Sequence, residues 1–387
     1  MTDLLTASAF LFLLLLGILV YSDRKNIEFH YILMLRRTKK GIKLIDRIAK
    51  RNPRFWNAIG VLSIPFAFLS MVIGLSLLVW IAQAIISGAQ EGPALAFVLP
   101  SFAAKEEIGL GGYAFFLPFW FYFIVVAVAL IPHEFFHGVV SRAVKIPLQS
   151  AGLLLLLVFP GGFVEPDEKI LKKSKPLTKL KVISAGVFAN ILTAFILLLF
   201  INVIFPPLVI DSIGLKIHNV TENAPAYFAG LKANMTIDEI NGAKFNPSAR
   251  DPFIEIVGKQ NLRPGDEITV TADNQTINLV LGENPTNSSQ PYMGISSYAV
   301  LTKSRYLSVD DVFAVFKYVS LLISFLLTIS FVNALPWKPF DGGLALEALL
   351  EKFTKKHAEK IANGVSIIVA VLFLFVVFGS TLMKFLP

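Results

Sequence analysis

The chain has no cysteine among its 387 residues. That excludes disulfides and thiolate metal ligands, so an exported segment must fold without covalent staples. Charge is also scarce: Asp, Glu, Lys and Arg make up 16% of residues against 55% apolar ones, and the mean hydropathy is +0.67. This composition fits a polytopic membrane protein with room for one soluble insert, not a water-soluble enzyme. The first apolar run lacks a basic leader and an A-x-A-like cleavage site, so it is expected as a retained anchor.

Six stretches are long and apolar enough to span a bilayer: Leu4–Tyr21, Ala58–Ser87, Tyr113–Val140, Val182–Phe205, Val312–Leu335 and Ile361–Phe385. Basic residues alternate between the connections. Segment 23–56 carries 11 Lys or Arg, 141–181 carries 8 and 342–360 carries 4, whereas 88–112 has only Lys105. By the positive-inside rule the three basic segments are cytoplasmic, and both termini and the long 206–306 connection are extracytoplasmic. The net charge of +8 is then a membrane-topology signal that needs no nucleic-acid partner. The patch from Arg36 to Arg54 is also suited to anionic lipid headgroups.

Four N-x-S/T sequons, at Asn219, Asn234, Asn274 and Asn287, all fall in the long connection, as an extracytoplasmic face permits. From about residue 208 to 300 the pattern changes to short alternating runs broken by turns. Ile237 to Gly242, Glu267 to Val270 and Thr276 to Leu281 read as strands, and Ala224 to Leu231 as a short helix with Gly230 near its C-terminus.

The chemistry concentrates at His133-Glu134-Phe135-Phe136-His137, which ends the apolar run from Phe115 to Pro132. On a helix the i, i+4 spacing places both imidazoles on one face, where they can grip one Zn2+. Glu134 beside them is suited to take a proton from an attacking water. The competing reading is a pair of packing histidines, but three ionisable residues within five positions of an apolar span are costly and point to function. A third ligand must come from elsewhere, and Glu165, Asp341 and Glu347 are candidates near a membrane face. Asp341 follows Pro336 and Pro339, which break the helix, and precedes Gly342-Gly343, which allows close backbone approach. The run LLLLLVFPGG, residues 153–162, is too short to span and reads as a re-entrant, β-like segment or a hydrophobic plug.

These features together resemble the site-2 protease family of intramembrane metalloproteases. The resemblance rests on HExxH with the later Asn333-x-x-Pro336-x-x-x-x-Asp341-Gly342-Gly343, on Phe163 to Glu168 after a Gly-Gly, and on Gly186-x-x-x-Asn190. It covers roughly residues 113–350. One departure is Val187, where the family usually has Pro. The resemblance implies Zn2+ held by His133, His137 and Asp341, with Glu134 as general base. It implies Asn190 and Asn333 as polar groups near a bound peptide. The short run 153–162, with Gly161 and Gly162 at its end, is separately expected as an edge strand beside the zinc that could hold an unwound substrate by main-chain hydrogen bonds. Asn223 to Phe245 resembles part of a protease-associated PDZ domain, whose carboxylate-binding loop is expected at Ile213, Gly214 and Leu215.

The expected fold is thus a polytopic α-helical membrane protein of about six transmembrane helices, with a re-entrant β-like segment and an extracytoplasmic α+β PDZ domain. The expected divisions are 1–112, two helices and a basic cytoplasmic loop; 113–207, the catalytic core; 208–306, the PDZ domain; and 307–387, the DGG and last helices. The expected function is zinc-dependent endoproteolysis of a transmembrane protein substrate in the cell membrane, with the active site toward the cytoplasm. The insert joining the fourth and fifth spans suggests a gate, so substrates are expected to be trimmed first by an upstream site-1-type protease, as in regulated intramembrane proteolysis. A metallopeptidase for loop-like or lipidated substrates would keep HExxH without calling for the DGG motif or the insert, and a non-enzymatic scaffold would not need Glu134. The sequence leaves the oligomeric state open.

Overall fold

The computed structural model describes residues 2–31, 33–90, 92–101, 107–109, 112–156, 159–246 and 251–383. The chain divides into two compact units, Met1–Phe195 with Leu321–Pro387, and Ile196–Ser320.

In the first unit, helix α1 (Thr2–Ser22) is followed by strands β1 (Ile27–His30) and β2 (Leu33–Arg37), then helices α2 (Lys39–Arg51) and α3 (Pro53–Ile86). Strands β3 (Phe97–Ser101), β4 (Glu107–Gly109) and β5 (Ala114–Pro118) lead into helix α4 (Phe119–Ala143). Strands β6 (Leu148–Leu156) and β7 (Phe159–Pro166) and the short helix α5 (Glu168–Lys173) precede helix α6 (Pro176–Leu199).

In the second unit, a π-helical turn and α7 (Phe205–Val209) extend α6 into β8 (Ile210–Val220). There follow α8 (Pro225–Phe228), β9 (Thr236–Ile240), β10 (Ala243–Lys244), α9 (Pro252–Gln260), β11 (Glu267–Ala272), β12 (Gln275–Val280), β13 (Gly282–Asn284), β14 (Asn287–Tyr292) and β15 (Ile295–Ser304). Helix α10 (Val309–Ala334) returns the chain to the first unit, which closes with α11 (Asp341–Leu350) and α12 (Ala358–Met383).

Among the described residues, five helices are long and apolar enough to cross a membrane: α3, α4, α6 with its extension to Val209, α10 and α12. They fit a polytopic membrane protein. The expected first span is the helix α1, and the expected sixth runs past Met383 to Phe385, outside the described residues.

The expected third span began at Tyr113, but the helix begins at Phe119. Ala114 to Pro118 instead form β5, paired in parallel with β3 and antiparallel with β4. Proline disfavours helix in the residue before it and suits a helix start, so Pro118 divides the run.

Helix α3 buries Gly60, Ser63, Ala67, Ser70, Met71, Gly74, Leu78, Ala82 and Ile85, a 3–4 repeat that puts mostly small residues on one face. Small residues let backbones approach: a Cβ on Gly74 would lie 3.0 Å from the Phe331 carbonyl oxygen of α10. The large side chains Leu69, Val72 and Trp80 remain exposed on other faces. Helix α6 is the inner element, with every residue from Lys179 to Asn190 except Lys181 buried.

The basic segment 23–56 is more than a loop. Its strands join a four-stranded antiparallel sheet in the order β1-β2-β6-β7. Its helix α2 buries Ile45 and Ala49 against Val139 of α4. Residues 153–156 and 159–162 of the LLLLLVFPGG run lie on the paired strands β6 and β7, and residues 157 and 158 are outside the described set. β7 is an edge of the sheet.

The second unit is built on a sheet in the order β12-β11-β9-β8-β15, with β10 paired to β9. Its core includes Ile217, Ile237, Ile240, Val270 and Leu281, all fully or almost fully buried. The expected strands at 237–242, 267–270 and 276–281 correspond to β9, β11 and β12, and the short helix corresponds to α8, with Gly230 at φ +81° after it. One expectation is corrected. Ile213, Gly214 and Leu215 form no loop: they are buried inside β8, with β15 on one side and Phe245 or Ile237 on the other. Gly214 is glycine because a Cβ there would lie 2.7 Å from Thr236 Cγ2. It marks close strand packing, not a turn.

Candidate active site

His133 and His137 stand one turn apart on α4, and their Nε2 atoms are 3.1 Å from each other. Asp341, the first residue of α11, completes a triangle: its Oδ2 lies 3.2 Å from His133 Nε2 and 3.3 Å from His137 Nε2. Four ligands at 2.0–2.1 Å from a tetrahedral centre stand about 3.3 Å apart, so these spacings fit three corners around one ion. The donor set agrees. His137 Nδ1 lies 2.7 Å from the Val182 carbonyl oxygen and so carries the proton, which leaves a lone pair on Nε2. Asp341 Oδ2 is buried and receives no hydrogen bond. Acceptors converging without a donor are placed for a cation, and these three residues form a group able to hold one metal ion.

The local sequence explains why the groups can meet. Gly186 of α6 lies directly behind the imidazoles: a Cβ there would be 2.6 Å from His133 Nε2 and closer still to His137 Nε2. Asp341 is delivered by the break after α10, where Pro336 and Pro339 interrupt the helix. The two glycines that follow are required by contact. A Cβ on Gly342 would run into the Ala334 carbonyl oxygen, and one on Gly343 would lie 2.5 Å from Lys338 N. The Lys338 amide donates to Ser366 Oγ of α12 at 3.1 Å, which anchors the segment. At the N-terminus of α11 the Asp341 carboxylate also meets the favourable end of the helix dipole.

Glu134 is half-buried, and its Oε2 accepts a hydrogen bond from the Val164 amide of β7 at 2.8 Å. The edge strand is therefore tied to the HExxH helix beside the metal-binding triangle. Gly162, two residues earlier on the same strand, shares the open side by strand alternation, and a Cβ there would come within 4.0 Å of Glu134 Cγ. Gly161 packs under Leu154, where a Cβ would meet Leu154 Cδ1 at 2.6 Å.

The other expected residues are placed as follows. Asn190 is fully buried, with Nδ2 3.4 Å from His133 Nδ1. Asn333 is half-buried on the last turn of α10, eight residues before Asp341. The alternative ligands Glu165 and Glu347 are engaged elsewhere. Glu165 pairs with Arg37 at 2.9 Å and accepts from Ser150 at 2.5 Å, and Glu347 pairs with Lys338. Sequence reasoning missed Gly186 as a space-making residue. It also missed Val164, whose amide carries no side-chain signature.

Comparison with known proteins agrees with this geometry. Residues 121–377 match peptidase family M50, a stretch from within α4 to within α12. The chain is 29% identical over 336 residues to an uncharacterized protein of Methanocaldococcus jannaschii, covering 85% of this chain and 81% of that relative. It is 27% identical over 165 residues to a Campylobacter jejuni protein named as a zinc metalloprotease, covering 41% of each. The chain belongs to peptidase family M50, the site-2 protease family of membrane zinc metalloproteases.

Proposed function

We propose that the protein is an intramembrane endopeptidase that cleaves transmembrane protein substrates, with His133, His137 and Asp341 holding Zn2+ and Glu134 as general base. The observation that carries this reading is the triangle of acceptor atoms beside a carboxylate at the open edge of β7. When bound, zinc supplies a Lewis acid that polarises the scissile carbonyl and acidifies the attacking water. Glu134 takes the proton from that water and passes it to the leaving amine. The Val164 amide holds the carboxylate in place for both transfers. A transmembrane substrate must unwind before its backbone can be reached, and the unpaired side of β7 near Gly162 offers main-chain partners to the extended segment. An apolar groove of about 550 Å³, lined by Leu16, Leu19, Met34, Leu153 and Leu154 among others, also reaches Gly161 on this strand.

The basic segments support a cytoplasmic position for the site and an extracytoplasmic one for residues 208–306 and both termini. For that insert a PDZ-like fold is supported by the sheet core and by the resemblance of Asn223 to Phe245. Peptide capture then belongs at β15, an edge strand entered through Gly294 at φ +85°, not at Ile213 to Leu215. In this reading the insert admits substrates already trimmed by a site-1-type protease, as in regulated intramembrane proteolysis.

The test is cleavage of a single-span substrate by purified protein in detergent, comparing wild type with Glu134→Gln at equal bound zinc. Cleavage within the span by the wild type alone is expected. Equal cleavage by both proteins would overturn the assignment of Glu134.

A further inference from the structure

Val182, Gly186 and Asn190 follow one another at four-residue intervals on α6, which places them on one helix face over two turns. Each addresses the histidine pair. The Val182 carbonyl oxygen lies 2.7 Å from His137 Nδ1, Gly186 clears the space in which both imidazoles sit, and the Asn190 amide lies 3.4 Å from His133 Nδ1. Running antiparallel to α4, this face meets His137 at one end and His133 at the other. Asn190 is 0% exposed, so no bulk water competes for its amide. Its Oδ1 is buried without a hydrogen-bond partner.

We infer that Asn190 is a positioning residue, whose side-chain carbonyl holds His133 in the tautomer that presents Nε2 to the metal. The inference rests on the ligand reading above and assigns Asn190 to the zinc site instead of to a bound peptide. A neutral imidazole carries one proton and one lone pair. His133 Nε2 faces the triangle with His137 and Asp341, so a metal there takes the Nε2 lone pair and leaves the proton on Nδ1. The group beside Nδ1 must then accept. A half-turn of the amide exchanges its nitrogen for Oδ1, which relieves the unpartnered oxygen and supplies that acceptor. His137 has the matching arrangement, with a main-chain carbonyl in place of the amide. Outer partners of this kind fix the ring and raise ligand basicity. Helix α6 would thus orient both histidines from a single face.

The test measures Zn2+ affinity of the full-length protein in detergent by chelator competition, for wild type, Asn190→Leu, Asn190→Asp and His133→Ala. Asn190→Leu removes the acceptor at similar volume and is expected to bind Zn2+ about 10–100-fold more weakly. Asn190→Asp restores an acceptor and is expected to bind at least as tightly as wild type. A merely structural role for Asn190 would not produce that rescue. Wild-type affinity in Asn190→Leu, with only KM raised, would overturn the inference in favour of substrate contact; so would an Asn190→Asp as weak as Asn190→Leu. His133→Ala tests the underlying reading alone, because retained zinc there would remove His133 from the ligand set. Should the variants fail to fold, Co2+-substituted wild type decides. Two metal-shifted, slowly exchanging imidazole N–H signals are expected, and one signal alone would overturn the inference.

Discussion

The Val164 amide donates to Glu134 Oε2 at 2.8 Å, so an edge strand and the HExxH helix share one hydrogen bond beside the metal-binding triangle. That bond leaves the inner ladder between β6 and β7 intact while orienting the carboxylate. The same open side is the edge proposed above for an extended substrate.

Val164→Pro is the direct probe of that bond. Proline removes the amide proton, and also fixes φ and replaces the isopropyl group that packs near Ile45 and Val139. An edge strand tolerates it where the N–H points away from the ladder, and Val164→Ala controls for the lost side chain. Hydrogen bonds to charged groups are worth about 1.5–3 kcal/mol, so kcat is expected to fall about 10–100-fold with zinc still bound. Val164→Ala keeps the amide and is expected to retain most activity. Equal rates in the two variants, measured on the single-span substrate, would show that the bond does not orient Glu134.

Gly186→Ala should act on the metal centre without replacing a ligand. The added methyl would lie 2.6 Å from His133 Nε2, and both imidazoles would have to swing away from α6. Overpacking of this sort costs about 1–3 kcal/mol. The expected result is a chain that inserts and remains helical by circular dichroism but binds Zn2+ about 5–150-fold more weakly. Wild-type zinc content would show that the helices can separate at no cost to the site.

The grouping of His133, His137 and Asp341, with Glu134 beside them, was legible in the sequence because its signals are local. A five-residue motif fixed His133, Glu134 and His137, and two prolines with two glycines marked Asp341. The strands of the insert were legible for the same reason. Pairing across long separations was not: Arg36 and Arg37 read as part of a charged loop, yet β2 pairs with Leu153 to Leu156 more than a hundred residues later. Gly214 was expected in a carboxylate-binding loop through the PDZ resemblance, and glycine suits loops and tight strand packing alike; only the position of Thr236 separates the two. Asn190 came from the resemblance as a group near a bound peptide, and a lone polar residue in an apolar helix does not by itself name its partner. Its four-residue spacing from Gly186 and Val182 was the available clue.

Asp341→Asn tests the third ligand. The substitution keeps size and the start of α11 but replaces an anionic oxygen with a neutral amide. Zinc affinity is expected to fall by more than the about 10–100-fold typical of losing an outer partner. Removing the metal from wild type with a chelator should abolish cleavage, and added Zn2+ should restore it. Full zinc occupancy in Asp341→Asn at limiting metal would return the third position to another group. Glu165 and Glu347 are poor replacements, since each is already ion-paired with Arg37 or Lys338.

The insert gives the last prediction. It is joined through α6, which carries Gly186 and Asn190, and through α10, which leads to Asp341, so a change there has a covalent route to both sides of the site. If residues 210–300 select trimmed substrates, replacing them with a short flexible linker should let full-length and trimmed single-span substrates be cleaved at similar rates. Wild type should prefer the trimmed form. The measurement is the ratio of the two initial rates at equal bound zinc. A ratio unchanged by the deletion would remove selection from the insert and leave it a structural role. A loss of both rates with zinc retained would instead show that the insert holds the two helices in working register.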